Sequence, residues 1–161
     1  MEERDDLLRV CALLNARGAR YFIVGGHACI LHGHVRTTED VDVLVEDSAE
    51  NLQRVIAGLS ELQDHAAAEL TPQDFVENVV VKIADEVEVD VSRQAWEVTY
   101  ADAAATAEEL VIDGVRVPFV GLETLIKSKS TYREQDRADL LRLQDLLERK
   151  RKQGMGEDNY T

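Results

Sequence analysis

Asp40 and Asp42 lie two residues apart in a run where Val41, Val43 and Val45 alternate with Asp40, Asp42 and Leu44. In a β-strand that spacing puts both carboxylates on one face. Two full charges about 4 Å apart repel by roughly 4 kcal/mol at an effective dielectric of about 20, so such a pair invites a divalent cation or a shifted pKa. Asp90 supplies a third acid, from a second stretch in which Val87, Val89 and Val91 alternate with Glu88 and Asp90. If the two strands are neighbours, three carboxylates converge on a polar face while the valines pack beneath it. Hard oxygen donors of this kind suit Mg²⁺ or Mn²⁺, and three of them can bridge two ions about 3.5–4 Å apart. Phosphoryl or nucleotidyl transfer is the natural use of such a cluster. Glu88 shares the Asp90 face and is an alternative ligand, whereas Asp85 is better read as a turn residue.

Gly25 and Gly26 follow the apolar run Tyr21-Phe22-Ile23-Val24, at a point where a strand turns into a helix. Without a Cβ in the way, backbone N–H groups there can approach phosphate oxygens, and His27 stands at the same end. Arg36-Thr37-Thr38 is either a phosphate-facing loop or the polar approach to the strand that follows. His27, Cys29, His32 and His34 match none of the paired spacings of a structural zinc site. Cys11 and Cys29 read as small buried thiols, His65 has no evident partner, and Trp96, Tyr100 and Tyr132 read as packing residues. The sequence contains neither a Gly-x-Ser-x-Gly elbow nor a phosphate-loop Gly-x-x-x-x-Gly-Lys-Ser/Thr, which removes the serine hydrolase and P-loop ATPase classes.

The elements that must position these residues can be read from periodicity. Residues 4–17 place Leu7, Leu8, Val10, Cys11 and Leu14 at helical spacing, with Gly18 at the left-handed cap. A strand over 21–24, a short helix over 27–32 and a strand over 41–45 follow. The next helix is capped by Asp47 or Ser48 and runs through Leu59. Residues 75–83 and 86–91 are expected to be strands, and 101–107 a helix. Residues 110–117 form a hairpin with its turn at Asp113-Gly114, beyond which Pro118 limits further strand. Two helices finish the chain, over 122–132 and about 137–150, and the segment from 153 to 161 is expected to be a frayed, flexible tail. This order predicts an α/β (α+β) fold, a mixed β-sheet flanked by helices with a C-terminal helical pair. The whole forms one domain over 1–152, with its core in about 1–120 and the helical pair in about 121–150.

Composition sets the outer bounds. The 161 residues are enough for one compact domain but not two, and 45% hydrophobic content supports a core. With 32 Asp and Glu against 18 Lys and Arg, the formal net charge of -14 argues against broad coating of a polyanion. Half of the basic residues fall in 127–152, which is either a local positive patch or an ordinary solvated helix face. No apolar run reaches the ~18 residues of a membrane helix, and the opening Met1-Glu2-Glu3-Arg4 lacks the order of a secretory signal. A cytoplasmic protein with no membrane partner is the expectation.

Phe22-Ile23-Val24-Gly25-Gly26, thirteen intervening residues, Asp40-Val41-Asp42-Val43-Leu44 and later Val89-Asp90-Val91 together resemble the DNA polymerase beta-type nucleotidyltransferase superfamily. Gly25-Gly26-His27-Ala28 and Arg36-Thr37-Thr38-Glu39-Asp40-Val41-Asp42 are especially similar to small bacterial nucleotidyltransferases, which include abortive-infection toxin relatives and antibiotic nucleotidyltransferases. The similarity is clearest over 20–46 and 86–92. It extends with less specificity over 122–143, where Lys129, Arg133, Asp136 and Asp139 are the counterparts of a Lys, an Arg and spaced Asp residues. The resemblance implies that Asp40, Asp42 and Asp90 bind Mg²⁺ or Mn²⁺, that Gly25 and Gly26 hold the triphosphate of a nucleoside triphosphate, and that Asp90 is the candidate base. Arg36, Lys127 or Lys129 would supply cations for the phosphates, with at most one of the two lysines pointing inward, and His27 and Thr38 are further nucleotide-binding candidates. The Gly-Gly-His version lacks the side-chain hydroxyl of the commoner Gly-Ser version.

The implied activity is transfer of a nucleoside monophosphate to a hydroxyl, with release of pyrophosphate. The acceptor is left open among a small molecule, a tRNA end and a protein side chain, and a dimer is possible. The alternative is a non-catalytic nucleotide- or protein-binding module of the same fold, as one half of a toxin–antitoxin pair.

Overall fold

The computed structural model describes residues 2–95, 97–128 and 134–158. A six-stranded mixed sheet with strand order β3-β4-β2-β1-β8-β7 forms its centre. The strands are β1 (Tyr21–Val24), β2 (Val41–Val45), β3 (Val80–Ala84), β4 (Glu88–Ser92), β7 (Glu108–Ile112) and β8 (Val115–Phe119), with a separate two-stranded ribbon of β5 (Gln94–Ala95) and β6 (Val98–Thr99). The helices are α1 (Glu2–Ala16), α2 (Gly25–Leu31), α3 (Ala49–Leu59), α4 (Pro72–Glu77), α5 (Tyr100–Ala104), α6 (Leu122–Ser128) and α7 (Glu134–Asp158).

The alternation of valine and acid decides which face of the sheet is covered. Val41, Val43, Val45, Val89 and Val91 point to one side and are buried. Tyr21 shares that side through its register with Val45, and its hydroxyl donates to Asn15 Oδ1 of α1 at 2.8 Å, so α1 covers the valine face with α3 packed on it. Phe22 points the other way and stacks on Tyr100 at 4.6 Å, placing α5 over part of the acid-bearing face. Burial pushes the Tyr21 hydroxyl and the Cys11 thiol up, the latter to about 11, and both cysteines are buried and unbridged.

Several boundaries differ from the sequence expectations. Residues 75–83 are not one strand: Thr71 and Asp74 form a capping box with Pro72 in the first turn, so 72–77 is helical and the strand starts only at Val80. Pro118 does not end its strand, because β8 continues to Phe119 and pairs with β1 only at Ile23↔Phe119, a short contact that asks little of the missing N–H. α7 runs on to Asp158, past the end expected near Lys150, with Asp145–Arg149 and Glu148–Lys152 as i,i+4 ion pairs along it. The N-cap of α3 is Ser48, which accepts from Asn51 N, and the hairpin turn at Asp113-Gly114 has both residues at positive φ, as a two-residue turn requires. Trp96, Lys129, Tyr132 and Arg133, and the end of the helix expected over 122–132, lie outside the described residues.

Candidate active site

Asp42 is the second residue of β2 and Asp90 the third of β4, and the two are direct partners in the parallel β2–β4 register. Their side chains therefore leave the same face of the sheet, from strands about 4.8 Å apart. Asp42 is also the register partner of Val24, the last residue of β1, so the next residue, Gly25, lies against it. A Cβ on Gly25 would come within 2.8 Å of Asp42 Cγ, and the φ of Gly25 is +69°. The glycine turn and the central carboxylate touch because residue 25 has no side chain.

Gly26 plays the same part for the loop before β2. A Cβ there would lie 2.7 Å from Thr38 Cβ and 3.5 Å from Arg36 Cζ, and Thr38 is buried. Arg36 and Thr38, open in sequence between two roles, thus stand beside the Gly-Gly turn. His27, the next residue of α2, is buried.

Asp40 sits one residue ahead of β2, alongside Glu88, the first residue of β4. The Glu88 carboxyl is pushed above its ordinary value by a side-chain hydrogen bond to Asp40, and then by the like charge of that carboxylate. The acids therefore form two cross-strand pairs, Asp42 with Asp90 and Asp40 with Glu88. Among the described residues, no three His, Cys, Asp or Glu side chains are gathered closely enough to hold a metal ion. The donor set still fits a hard divalent cation, since all four groups are carboxylates carried on the neighbouring strands β2 and β4 and the residue before β2.

One side chain near this face was not singled out from sequence. Lys82 on β3 is the register partner of Asp90, with Nζ 3.4 Å from Asp90 Oδ2. Its ammonium is held above the ordinary lysine value by the charge of Asp90 foremost, with smaller contributions from Asp40 and Glu88. Misreading 75–83 as one strand hid the register that brings it here.

The loop before β2 is tied to the C-terminal helix. Asp139 on α7 is fully buried; its Oδ2 accepts from Arg36 Nη1 at 2.6 Å and its Oδ1 lies 3.0 Å from His34 Nε2. Arg36 Nε also donates to Thr37 O at 3.0 Å, which leaves other guanidinium N–H groups to face the turn. Asp136 is buried on the same helix.

The sequence profile of the family described as "Nucleotidyl transferase of unknown function (DUF2204)" matches residues 3–156. The chain belongs to this family of nucleotidyl transferases. Two solved structures share the nucleotidyltransferase-like fold. An antigenic nucleotidyltransferase-like protein from Paracoccidioides brasiliensis is 21% identical with a TM-score of 0.54, over 86% of this chain and 75% of its own. A protein from Thermotoga maritima designated a nucleotidyltransferase is 14% identical with a TM-score of 0.55, over 88% of this chain and 91% of its own. A comparison with curated proteins finds no match.

In this member of the family the remaining candidates are engaged elsewhere. Lys127 is exposed on α6 and its charge acts on Asp102 of α5. His32 Nε2 lies 2.8 Å from Val120 O with its ring edge-on to Phe119, and His65, for which no partner was evident, has Nδ1 2.7 Å from Ser60 O. Asp85 is more than a turn former: its carboxylate accepts from the backbone N of Asp64, Ala66 and Glu86. A cavity of about 470 Å³ lined by Glu46, Asp47, Arg93 and Tyr100 opens where β2 and β4 end, away from Asp40 and Glu88 at their beginnings. No described helix is long and apolar enough to cross a membrane.

Proposed function

We propose that this chain transfers a nucleoside monophosphate from a nucleoside triphosphate to a hydroxyl acceptor, with release of pyrophosphate and with Mg²⁺ or Mn²⁺ bound at the acids. The observation that carries this reading is the register pairing of Asp42 with Asp90 directly beside the Gly25 turn. Asp42 and Asp90, with Asp40 beside them, would hold the divalent cation. When bound, that cation supplies neutralisation of charge on the reacting phosphoryl oxygens.

The chain's own groups do the rest. The Gly25-Gly26 turn leaves backbone N–H groups open to the triphosphate, and Arg36, fixed by Asp139, adds a cation to the same side. Asp90 accepts the proton of the attacking hydroxyl as its oxygen bonds to the α-phosphorus and the bond to pyrophosphate breaks. Incubation with α-labelled nucleoside triphosphates, Mg²⁺ and candidate acceptors is expected to give labelled product with the parent chain and none with Asp42→Asn. Equal labelling by both would refute the assignment.

One observation favours the non-catalytic alternative, a nucleotide- or partner-binding module of the kind found in a toxin–antitoxin pair. Among the described residues no three acids are gathered closely enough to hold a metal ion, and Asp40 acts on Glu88. Calorimetry separates the two: the binder takes up nucleotide equally with and without Mg²⁺ and turns none over, whereas the enzyme binds it in a Mg²⁺-dependent way.

A further inference from the structure

Two cations border the candidate site, and they are held in opposite ways. Arg36 is largely enclosed, its side chain 19% exposed, and is fixed by a 2.6 Å bond to the fully buried Asp139. Lys82 is 75% exposed on β3, the edge of the sheet, and among the described residues its one hydrogen bond is the 3.4 Å contact with Asp90 Oδ2. Val81 and Ile83 on either side of it are buried, so the backbone beneath Lys82 is anchored while the side chain is not. A lysine so placed is a compact charge on a flexible stem, able to reach the acids or to leave them for water.

The acids give it a reason to stay. Asp42 is the register partner of Asp90, and Asp40 and Glu88 lie near enough for their charges to act on the ammonium as well. Like charges brought together on rigid strands repel, and a cation of either kind, an ammonium or a divalent metal ion, relieves that repulsion. The two are alternatives, because an ammonium kept within hydrogen-bonding distance of Asp90 would repel a metal ion bound to the same carboxylate.

We propose that Lys82 is the built-in counter-ion of these acids, a positioning residue that acts through Asp90. Its ammonium holds the Asp90 carboxylate while no metal is bound and yields that carboxylate to the divalent cation. The inference rests on the nucleotidyl-transfer reading, whose metal the acids would hold, and adds the group that sets how tightly they hold it. Lys82 takes no part in bond making. The contrast with Arg36 has the same cause: a cation that stays beside the phosphates is tied down by a buried acid, and one that withdraws stands on an open edge.

The test measures binding of Mn²⁺ alone to the full chain by calorimetry at low ionic strength, and melting temperature in chelator, for the parent, Lys82→Gln, Lys82→Arg and Lys152→Gln. Lys152 on α7 is the matched control, since its side chain is 74% exposed, its Nζ lies 3.4 Å from Glu148 Oε1, and its replacement removes the same charge. Lys82→Gln is expected to melt lower in chelator and yet to bind Mn²⁺ about fivefold more tightly than the parent, the effect of one competing unit charge in a water-like dielectric. Lys82→Arg keeps the parent's affinity or weakens it, because a guanidinium can hold a carboxylate through two bonds, and Lys152→Gln stays within about twofold of the parent. A lysine with a merely structural role would lower stability without tightening the metal. Mn²⁺ affinity in Lys82→Gln no higher than in the parent, or an unchanged melting temperature, overturns the proposal alone, as does an equal gain in Lys152→Gln. A parent that binds no Mn²⁺, or binds it equally well after Asp42→Asn, overturns the cation site and this inference with it.

Discussion

Gly25 and Gly114 share a left-handed backbone, with φ of +69° and +81°, yet a methyl group at the first would strike the Asp42 carboxylate and at the second would meet nothing within 4 Å. This contrast separates backbone strain from damage to the site. Gly114→Ala should cost about 1–2 kcal/mol, the penalty of placing a side chain on left-handed backbone, and leave nucleotidyl transfer unchanged. Gly25→Ala should cost at least as much and in addition drive the Asp42 carboxylate from its place, lowering transfer by tenfold or more, a barrier change of about 1.4 kcal/mol. Urea denaturation and label transfer on both variants measure the two effects, and equal activity would rule out contact between the glycine turn and the acid. Glu88 gives a second residue-scale prediction. Its folded pKa is raised above the unfolded value by the hydrogen bond to Asp40, so the folded chain binds that proton more tightly. The contribution of Glu88 to the stability of the metal-free chain is then fully present below the ordinary glutamate value of 4.5 and is lost as pH rises through the raised folded value. Melting temperatures measured in chelator should show this decline in the parent and a flatter profile in Glu88→Gln.

Among the elements, the loop between α2 and β2 depends most on a distant partner. It carries Arg36 and Thr38 and is held to α7 by the buried Asp139, more than a hundred residues away in sequence. Truncating one partner of a buried ion pair leaves the other charges uncompensated, so Asp139→Ala should cost about 3 kcal/mol, at the low end for such changes because His34 and Arg36 keep some solvent. Hydrogen exchange over 33–39 should quicken in that variant while β4 and β8 stay protected; unchanged exchange would show that the loop holds its place without α7.

The elements also show what could be read in advance. The strands bearing Asp42 and Asp90 were legible because alternation of valine and acid has one physical meaning, a half-buried strand, and the Asp113-Gly114 turn because few residue pairs tolerate two positive φ values. α4 was missed because Phe75, Val76, Val79, Val80 and Val81 look like a continuous apolar strand, although Thr71-Pro72-Gln73-Asp74 carried the helix-start signal. The pairing of Asp42 with Asp90 was a condition rather than a reading, since nothing local in either strand names its neighbour. Lys82 and the Asp40–Glu88 bond follow from that register and were equally out of reach.

At the scale of the whole molecule, the formal charge of -14 is not evened out by the basic C-terminal stretch. Arg142 and Arg149 pair with Asp145, Lys152 with Glu148 and Arg151 with Glu123, so much of that positive charge is spent locally on acids of α7 and α6. This favours a solvated helix face over a nucleic-acid patch and leaves the excess negative charge to act on the fold, Asp40, Asp42, Glu88 and Asp90 included. Excess like charge destabilises a compact state, and salt weakens the repulsion within a Debye length of about 8–10 Å. NaCl should therefore raise the melting temperature modestly in the parent and in Asp42→Asn alike. MgCl₂ at matched ionic strength should raise it further in the parent, because an ion bound only by the folded state adds stability in proportion to the logarithm of its concentration over its dissociation constant. In Asp42→Asn and Asp90→Asn the two salts should converge. A Mg²⁺ increment of the same size in all three proteins would mean that the ion acts on the general acidic surface, and that the paired strands do not form a cation site.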